Sequence, residues 1–282
     1  MLIVESHVDV NTVVDGKDSP MRIFVFTPTV PQYPNARFPG VVLFSEIYQV
    51  TGPVARFARQ IAGHGYVVAA PSSYHEFTGP EPLAYDVPGT DKGNEWKVAK
   101  TLDSYDQDVI KTVDYLLTHP NCNGRIGSTG MCLGGHLALR AGLDTRISAI
   151  VSYFATDVHS RTLGPHPANN SPTPPPSSPH TLDNLSRISA EVAMLFGLKD
   201  THVPDAGRDL IRLKLREAGV VNSFHEFAWA QHAFIRDELS KGRYDPVITK
   251  VCFEILLELF GRVLKTEVGE RDAQPQKVEH VC

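Results

Sequence analysis

The sequence predicts an α/β fold: a mostly parallel, doubly wound sheet of about eight strands with helices on both faces. Three observations predict it. Short apolar runs such as Val41-Val42-Leu43-Phe44 lack alternation and suit strands buried on both faces. Between them lie segments whose apolar residues recur at i, i+3, i+4 and i+7, the spacing of one helix face. After an opening hairpin the two kinds alternate, and alternation implies parallel strands joined by covering helices.

The elements follow in order. Residues 2–10 and 21–28 are the opening strands, with Asp15-Gly16 between them as a hairpin signal. Residues 41–44 are a buried strand, and 53–63 a helix with Val54, Phe57, Ala58 and Ile61 on one face. Tyr66 to Pro71 is a further strand, and 103–118 a helix carrying Val109, Val113 and Leu116. A strand over 125–130 enters a turn and a helix resumes over Gly135–Gly142. Strands at 147–154 and 191–197, a helix over 205–218, a strand over 223–229 and a helix over 246–265 complete the series. Residues 72–101, sparse in apolar residues and sprinkled with Pro and Gly, are expected to form a loop or cap. Residues 164–179 hold seven prolines in sixteen positions, which excludes regular helix or sheet. One domain is expected over 1–265, with a proline-rich excursion at 160–182 and a polar, disordered tail over 266–282.

Composition narrows the class. The 282 residues carry 27 Lys+Arg against 32 Asp+Glu, a net charge of −5, which argues against nucleic acid as a partner. No apolar run reaches the roughly 18 residues of a membrane span. Glu5 and Asp9 stand where a secretory signal would be basic and then apolar. Four cysteines, at 122, 132, 252 and 282, are too few for a disulfide framework and contain no CxxC. The expectation is a cytoplasmic protein with no bound metal.

Chemistry concentrates at Gly127-Ser128-Thr129-Gly130-Met131-Cys132-Leu133-Gly134-Gly135-His136. A strand runs into Cys132 and a helix leaves it, with glycines at 130, 134 and 135. This is the layout of a nucleophile elbow with Cys in place of Ser. Small residues are needed because neighbouring backbone passes close to a strained turn. The helix start offers free N–H groups and a positive dipole end to a thiolate or oxyanion. Asp200 follows the strand Val192–Gly197, and His232 follows Phe224–Trp229. Nucleophile, acid and histidine thus come in chain order, each at a strand's C-terminal end. Taken singly, each has a plainer reading: a buried structural thiol, a helix cap before Pro204, a loop histidine. His202, two residues beyond Asp200, could compete with His232 as the base but lies too early in the chain order. His159, His166 and His180, around the proline-rich stretch, are expected to be solvated loop residues, Cys252 a core residue, and Cys122 and Cys282 loop and tail thiols.

Gly130-Met131-Cys132-Leu133-Gly134-Gly135, Gly197-Leu198-Lys199-Asp200 and His232-Ala233-Phe234-Ile235-Arg236 together resemble the dienelactone hydrolase (carboxymethylenebutenolidase) family of α/β-hydrolases, over roughly residues 20–262. Phe44-Ser45-Glu46-Ile47 is a fourth match. The resemblance implies a Cys132–His232–Asp200 triad acting on a small ester or lactone, without a cofactor. It implies that Glu46 contacts the resting thiol and helps deprotonate it, and that backbone N–H groups of Ile47 and Leu133 form the oxyanion hole. Arg236 matches one of two arginines that hold the substrate carboxylate. The other belongs to a stretch that here is Pro71-Ser72-Ser73-Tyr74-His75-Glu76, so Tyr74 and Glu76 are placed at the substrate. Glu76 stands where an arginine is expected and would repel an anion, so little net preference for anionic substrates is expected. Two other readings stay open: an isomerase, cyclase or lyase on the same scaffold, and a non-catalytic ligand-binding protein. Oligomeric state is not encoded in any motif.

Overall fold

The computed structural model describes residues 1–14 and 16–265. Asp15 of the expected hairpin signal, the tail over 266–282 and Cys282 lie outside the described residues.

Eight strands form one sheet in the order β1-β2-β4-β3-β5-β6-β7-β8. β1 (Leu2–Val14) and β2 (Lys17–Thr29) make a long antiparallel hairpin, with Leu2 opposite Thr29 and Val14 opposite Lys17. Both strands extend several residues beyond their apolar runs, because β1 is an edge strand whose outer residues stay in water. β2 pairs antiparallel with β4 (Val67–Pro71). Every later pairing is parallel and brings in β3 (Phe38–Phe44), β5 (Cys122–Met131), β6 (Ile147–Tyr153), β7 (Glu191–Gly197) and β8 (Asn222–Phe227). Val41–Leu43, Val67–Ala70, Ala149–Val151 and Val192–Phe196 are buried, so the unbroken apolar runs do mark strands covered on both faces.

The coverage comes from α1 (Gly52–Gly63), α3 (Leu102–Thr118), α4 (Leu133–Ala141), α5 (Asp205–Glu217) and α6 (Pro246–Phe260). α1 buries Val54, Phe57, Ala58 and Ile61, and α3 buries Val109, Val113 and Leu116. All nine residues of α4 are buried, which suits the element that carries the elbow. Cys252 is buried within α6; Cys122, expected in a loop, is instead buried in β5. Among the described residues no helix is long and apolar enough to cross a membrane.

One element departs from expectation. Residues 72–101 contain a helix, α2 (Val87–Ala99), started by Asp86, whose carboxylate accepts the Gly89 N–H at 2.7 Å. It shows no apolar stripe because its buried positions are glycines, Gly89 and Gly93. A Cβ at Gly93 would sit 2.5 Å from the Ile47 carbonyl oxygen, and the Tyr74 hydroxyl donates to the Gly93 carbonyl at 2.9 Å. Close backbone approach replaces apolar packing there.

The proline-rich stretch carries neither helix nor strand over 164–179. It is nevertheless tied to the domain. Arg161 meets Asp183 at 2.7 Å, Arg140 donates to the Pro179 carbonyl at 2.8 Å, and His136 Nε2 lies 2.8 Å from the Thr181 hydroxyl. His180 is buried rather than solvated, and burial together with neighbouring His166 pushes its pKa down to about 4.

Candidate active site

The C-terminal ends of β3, β5, β7 and β8 converge on one cavity of about 170 Å³. Cys132, between β5 and α4, has φ 61° and ψ −119°, a left-handed strain that a non-glycine residue adopts only where its surroundings enforce it. They enforce it here. A Cβ on Gly134 would lie 2.2 Å from the Phe44 carbonyl oxygen, and one on Gly130 would lie 2.4 Å from the Gly134 carbonyl oxygen. The Cys132 N–H donates to the Tyr153 carbonyl at 3.1 Å, which stitches the elbow to β6. Leu133 opens α4, so its N–H has no intrahelical acceptor. Ile47 lines the cavity from the β3 side.

Asp200 and His232 meet as their chain positions suggest. His232 Nδ1 lies 2.8 Å from Asp200 Oδ2, both side chains being buried. The bond orients the ring, leaving Nε2 as a buried atom with no conventional hydrogen-bond partner. Burial lowers the His232 pKa, but the charge of the Cys132 sulfur and the Asp200 carboxylate outweigh it and hold it up at about 10. Asp200, despite burial, is held below the ordinary carboxylate range by His232. It does not cap α5: the residue at that cap is Pro204, which has no side-chain cap bond. Its second oxygen accepts the His202 N–H at 2.8 Å. The His202 ring stacks on His232, with centroids 4.2 Å apart and planes 13° from parallel. Burial of its stacked face and the charge of His232 push its pKa down.

Asp200, His202 and His232 bring three potential metal-ligand atoms within 4.8 Å of one another. Their geometry does not suit an ion. Both Asp200 oxygens are engaged, and stacked imidazoles direct their in-plane lone pairs side by side, where a metal needs them to converge.

Glu46 is buried just beyond β3. Its Oε2 accepts from the Tyr85 hydroxyl at 3.0 Å, and its Oε1 lies 3.5 Å from Arg236 Nη1. Burial raises its pKa, and Arg236 and Tyr85 offset that only in part. Among the described residues it makes no hydrogen bond to Cys132, so the expected contact with a resting thiol is absent and the carboxylate faces Arg236. The Arg236 guanidinium stands over the ring of Tyr85 at 4.4 Å and of Tyr48 at 5.9 Å.

Two expectations about the substrate pocket are corrected. Tyr74 and Glu76 do not line this cavity. Tyr74 is fully buried and spends its hydroxyl on Gly93. Glu76 turns away into a polar cluster, where it binds Lys100 and the Ser104 hydroxyl. Lys100, 0% exposed, also lies 3.0 Å from Asp108, and His75 Nε2 lies 2.8 Å from the same carboxylate. The negative charge of Glu76 is thus neutralised within the fold. The cavity wall holds two cations that motif reading passed over, Lys241 and Arg243, beside Arg236 and Lys97. Of the lysines in the segment after Glu76, Lys97 lines the cavity, Lys92 pairs on the surface with Glu95, and Lys100 is sequestered.

A sequence model of the dienelactone hydrolase family matches residues 21–264. A Saccharomyces cerevisiae protein named "Putative carboxymethylenebutenolidase" is 51% identical over the whole of both chains. A Synechocystis protein of the same name is 25% identical over 81% of this chain and 88% of its own. The crystal structure of a "Putative Dienelactone Hydrolase" from Klebsiella pneumoniae superposes with a TM-score of 0.69 at 22% identity, covering 91% of this chain and 99% of that one, a likeness of fold. With the α/β-hydrolase sheet and a family match from β2 to the end of the last helical turn, this chain belongs to the dienelactone hydrolase family.

Proposed function

We propose that the protein hydrolyses an ester or lactone bond of a small anionic molecule, with Cys132 as nucleophile, His232 as base and Asp200 as its orienting acid. The observation that carries this reading is the disposition of His232: Nδ1 is held by Asp200 at 2.8 Å, while the buried Nε2 has no conventional partner in the cavity that Cys132 also lines. The sulfur attacks the carbonyl carbon as thiolate, and the imidazolium passes its proton to the leaving alkoxide. A water then attacks the thioester, with His232 taking its proton and returning it to the departing sulfur. The N–H groups of Leu133 and Ile47 are the proposed oxyanion donors, one at the start of α4 and one beyond β3. Glu46 is proposed to take the proton of the Cys132 thiol, leaving the thiolate, when a substrate carboxylate competes for Arg236, a role that its burial-raised pKa favours.

The wall of cations supports an anionic substrate. A carboxylate about 4 Å from Arg236 gains roughly 4 kcal/mol at an effective dielectric of about 20, before desolvation. The test is a turnover screen of small esters and lactones in matched pairs, each carboxylate beside its methyl ester, with Cys132→Ala as control. Hydrolysis by the wild type with preference for the carboxylates, abolished in Cys132→Ala, is expected. Turnover that survives in Cys132→Ala would overturn the mechanism.

A further inference from the structure

The charges around the cavity do not balance, and the imbalance is localised. Lys97 is paired with Asp157 at 3.0 Å, and Arg236 faces Glu46 at 3.5 Å. Lys241 and Arg243 have no such partner: among the described residues neither makes an ion pair with a carboxylate. Both sit on one turn, closed by the Arg243 N–H donating to the Ser240 carbonyl at 3.2 Å. Arg243 is half-buried and lines the cavity, whereas Lys241 is exposed at its mouth. The charge of Arg243 is felt at Glu46 on one flank of the centre and at His202 on the other. Arg236 meanwhile keeps its Nε buried without a partner, its side chain being 7% exposed. An unpaired, partly desolvated guanidinium is costly unless an anion answers it. One carboxylate on Arg236 leaves Arg243 and Lys241 unanswered.

We propose that the substrate carries two anionic groups, one received by Arg236 and a second by Arg243 with Lys241 at the cavity mouth. The inference rests on the reading of the cavity as a hydrolase site, but it concerns binding and is tested by binding. Each linear dicarboxylate from malonate to adipate is titrated calorimetrically into the full-length protein, beside the monocarboxylate of equal length. At least one dicarboxylate should bind tenfold or more tightly than its monocarboxylate, with a steeper loss of affinity as salt is raised. In the double variant Arg243→Gln, Lys241→Gln that advantage should fall below about twofold, and Arg243→Lys, which keeps the charge, should restore part of it. Equal affinity for the two series in the wild type, or an advantage that persists in the double variant, would overturn the proposal and leave the turn a solvated pair of cations. Hydrolysis assays on the same proteins are read separately. Loss of turnover with the calorimetric preference intact counts against the hydrolase reading and leaves the second anion subsite standing.

Discussion

Replacing Glu76 separates two accounts of this protein that differ in sign. By motif resemblance alone, Glu76 sits where an arginine would hold a substrate carboxylate. A charge about 6 Å from an anion costs roughly 3 kcal/mol at a dielectric of about 20, so its removal should raise kcat/KM for anionic substrates by roughly 100-fold. The structure gives the residue another task. Glu76 binds the fully buried Lys100 and the Ser104 hydroxyl, and breaking a buried ion pair costs about 3–5 kcal/mol. Glu76→Gln keeps a hydrogen-bonding oxygen, and Lys100 keeps Asp108 at 3.0 Å, so a cost at or just below that range, about 2–3 kcal/mol, is expected. In a chain of this size each kcal/mol moves Tm by about 2–4 °C, which places the midpoint about 4–12 °C below wild type. Glu76→Arg, which sets a second cation against Lys100, should be worse and recover little folded protein. The assay is calorimetric melting with, on the folded Glu76→Gln protein, kcat/KM for a carboxylate ester and its methyl ester. The ratio of the two should move by less than about threefold. A variant that melts within about 2 °C of wild type and gains strongly on the carboxylate ester would refute the reasoning.

Three further outcomes follow from the site. Iodoacetamide should modify Cys132 before Cys122 or Cys252, which are fully buried, with activity lost in step; peptide mapping that finds either of the others labelled at full inactivation contradicts the assignment. His232→Ala should cost more than His202→Ala in kcat, and His202→Phe, which keeps a ring stacked on His232, should fall between His202→Ala and wild type; the reverse ranking makes His202 the base. The His232 pKa is raised from 6.5 to about 10, so its contribution to stability is fully present below pH 6.5 and is lost as pH rises through about 10. Urea unfolding across that window should show the decline, shallower in Cys132→Ala because the sulfur's charge is part of what lifts the imidazole; identical slopes would remove the coupling.

What was legible in the sequence is what short-range chemistry dictates. Unbroken runs such as Val192–Phe196, too short for a helix and set between turns, suit buried strands, and the glycines around Cys132 report backbone contacts that no side chain could share. Asp200 and His232 were placed by chain order, and a single hydrogen bond joins them. The limits of β1 and β2 were not legible, since an edge hairpin continues by backbone pairing through residues whose side chains stay in water. Cys122 and His180 were misjudged for a related reason. Each lies in a polar stretch, and the elements that bury it come from elsewhere in the chain.

The site divides along the same line. Its proposed reacting groups stand at strand ends, where local motifs fix them, while the charged residues that line the rest of the cavity come from segments with no motif. α2 is the sharpest case. Thr90, Asn94 and Lys97 fall at i, i+4 and i+7, one face of the helix, and all three line the cavity. On its packed face Gly93 lets the backbone lie against Ile47, and Gly89 lets it lie against the Ala84 carbonyl. A helix that offers polar residues to a ligand and glycines to the core has no apolar periodicity to detect. The features that hid α2 therefore follow from its position beside the cavity. The same holds for Glu76, whose sign in the binding account depends on Lys100 and Ser104, 24 and 28 residues further along the chain. A motif records the residue type and cannot record that partner. The proposed selectivity follows from where each charge finds its counter-charge: Glu76 finds it within the fold, whereas Arg243 makes no ion pair among the described residues, which is why a ligand anion is proposed for it.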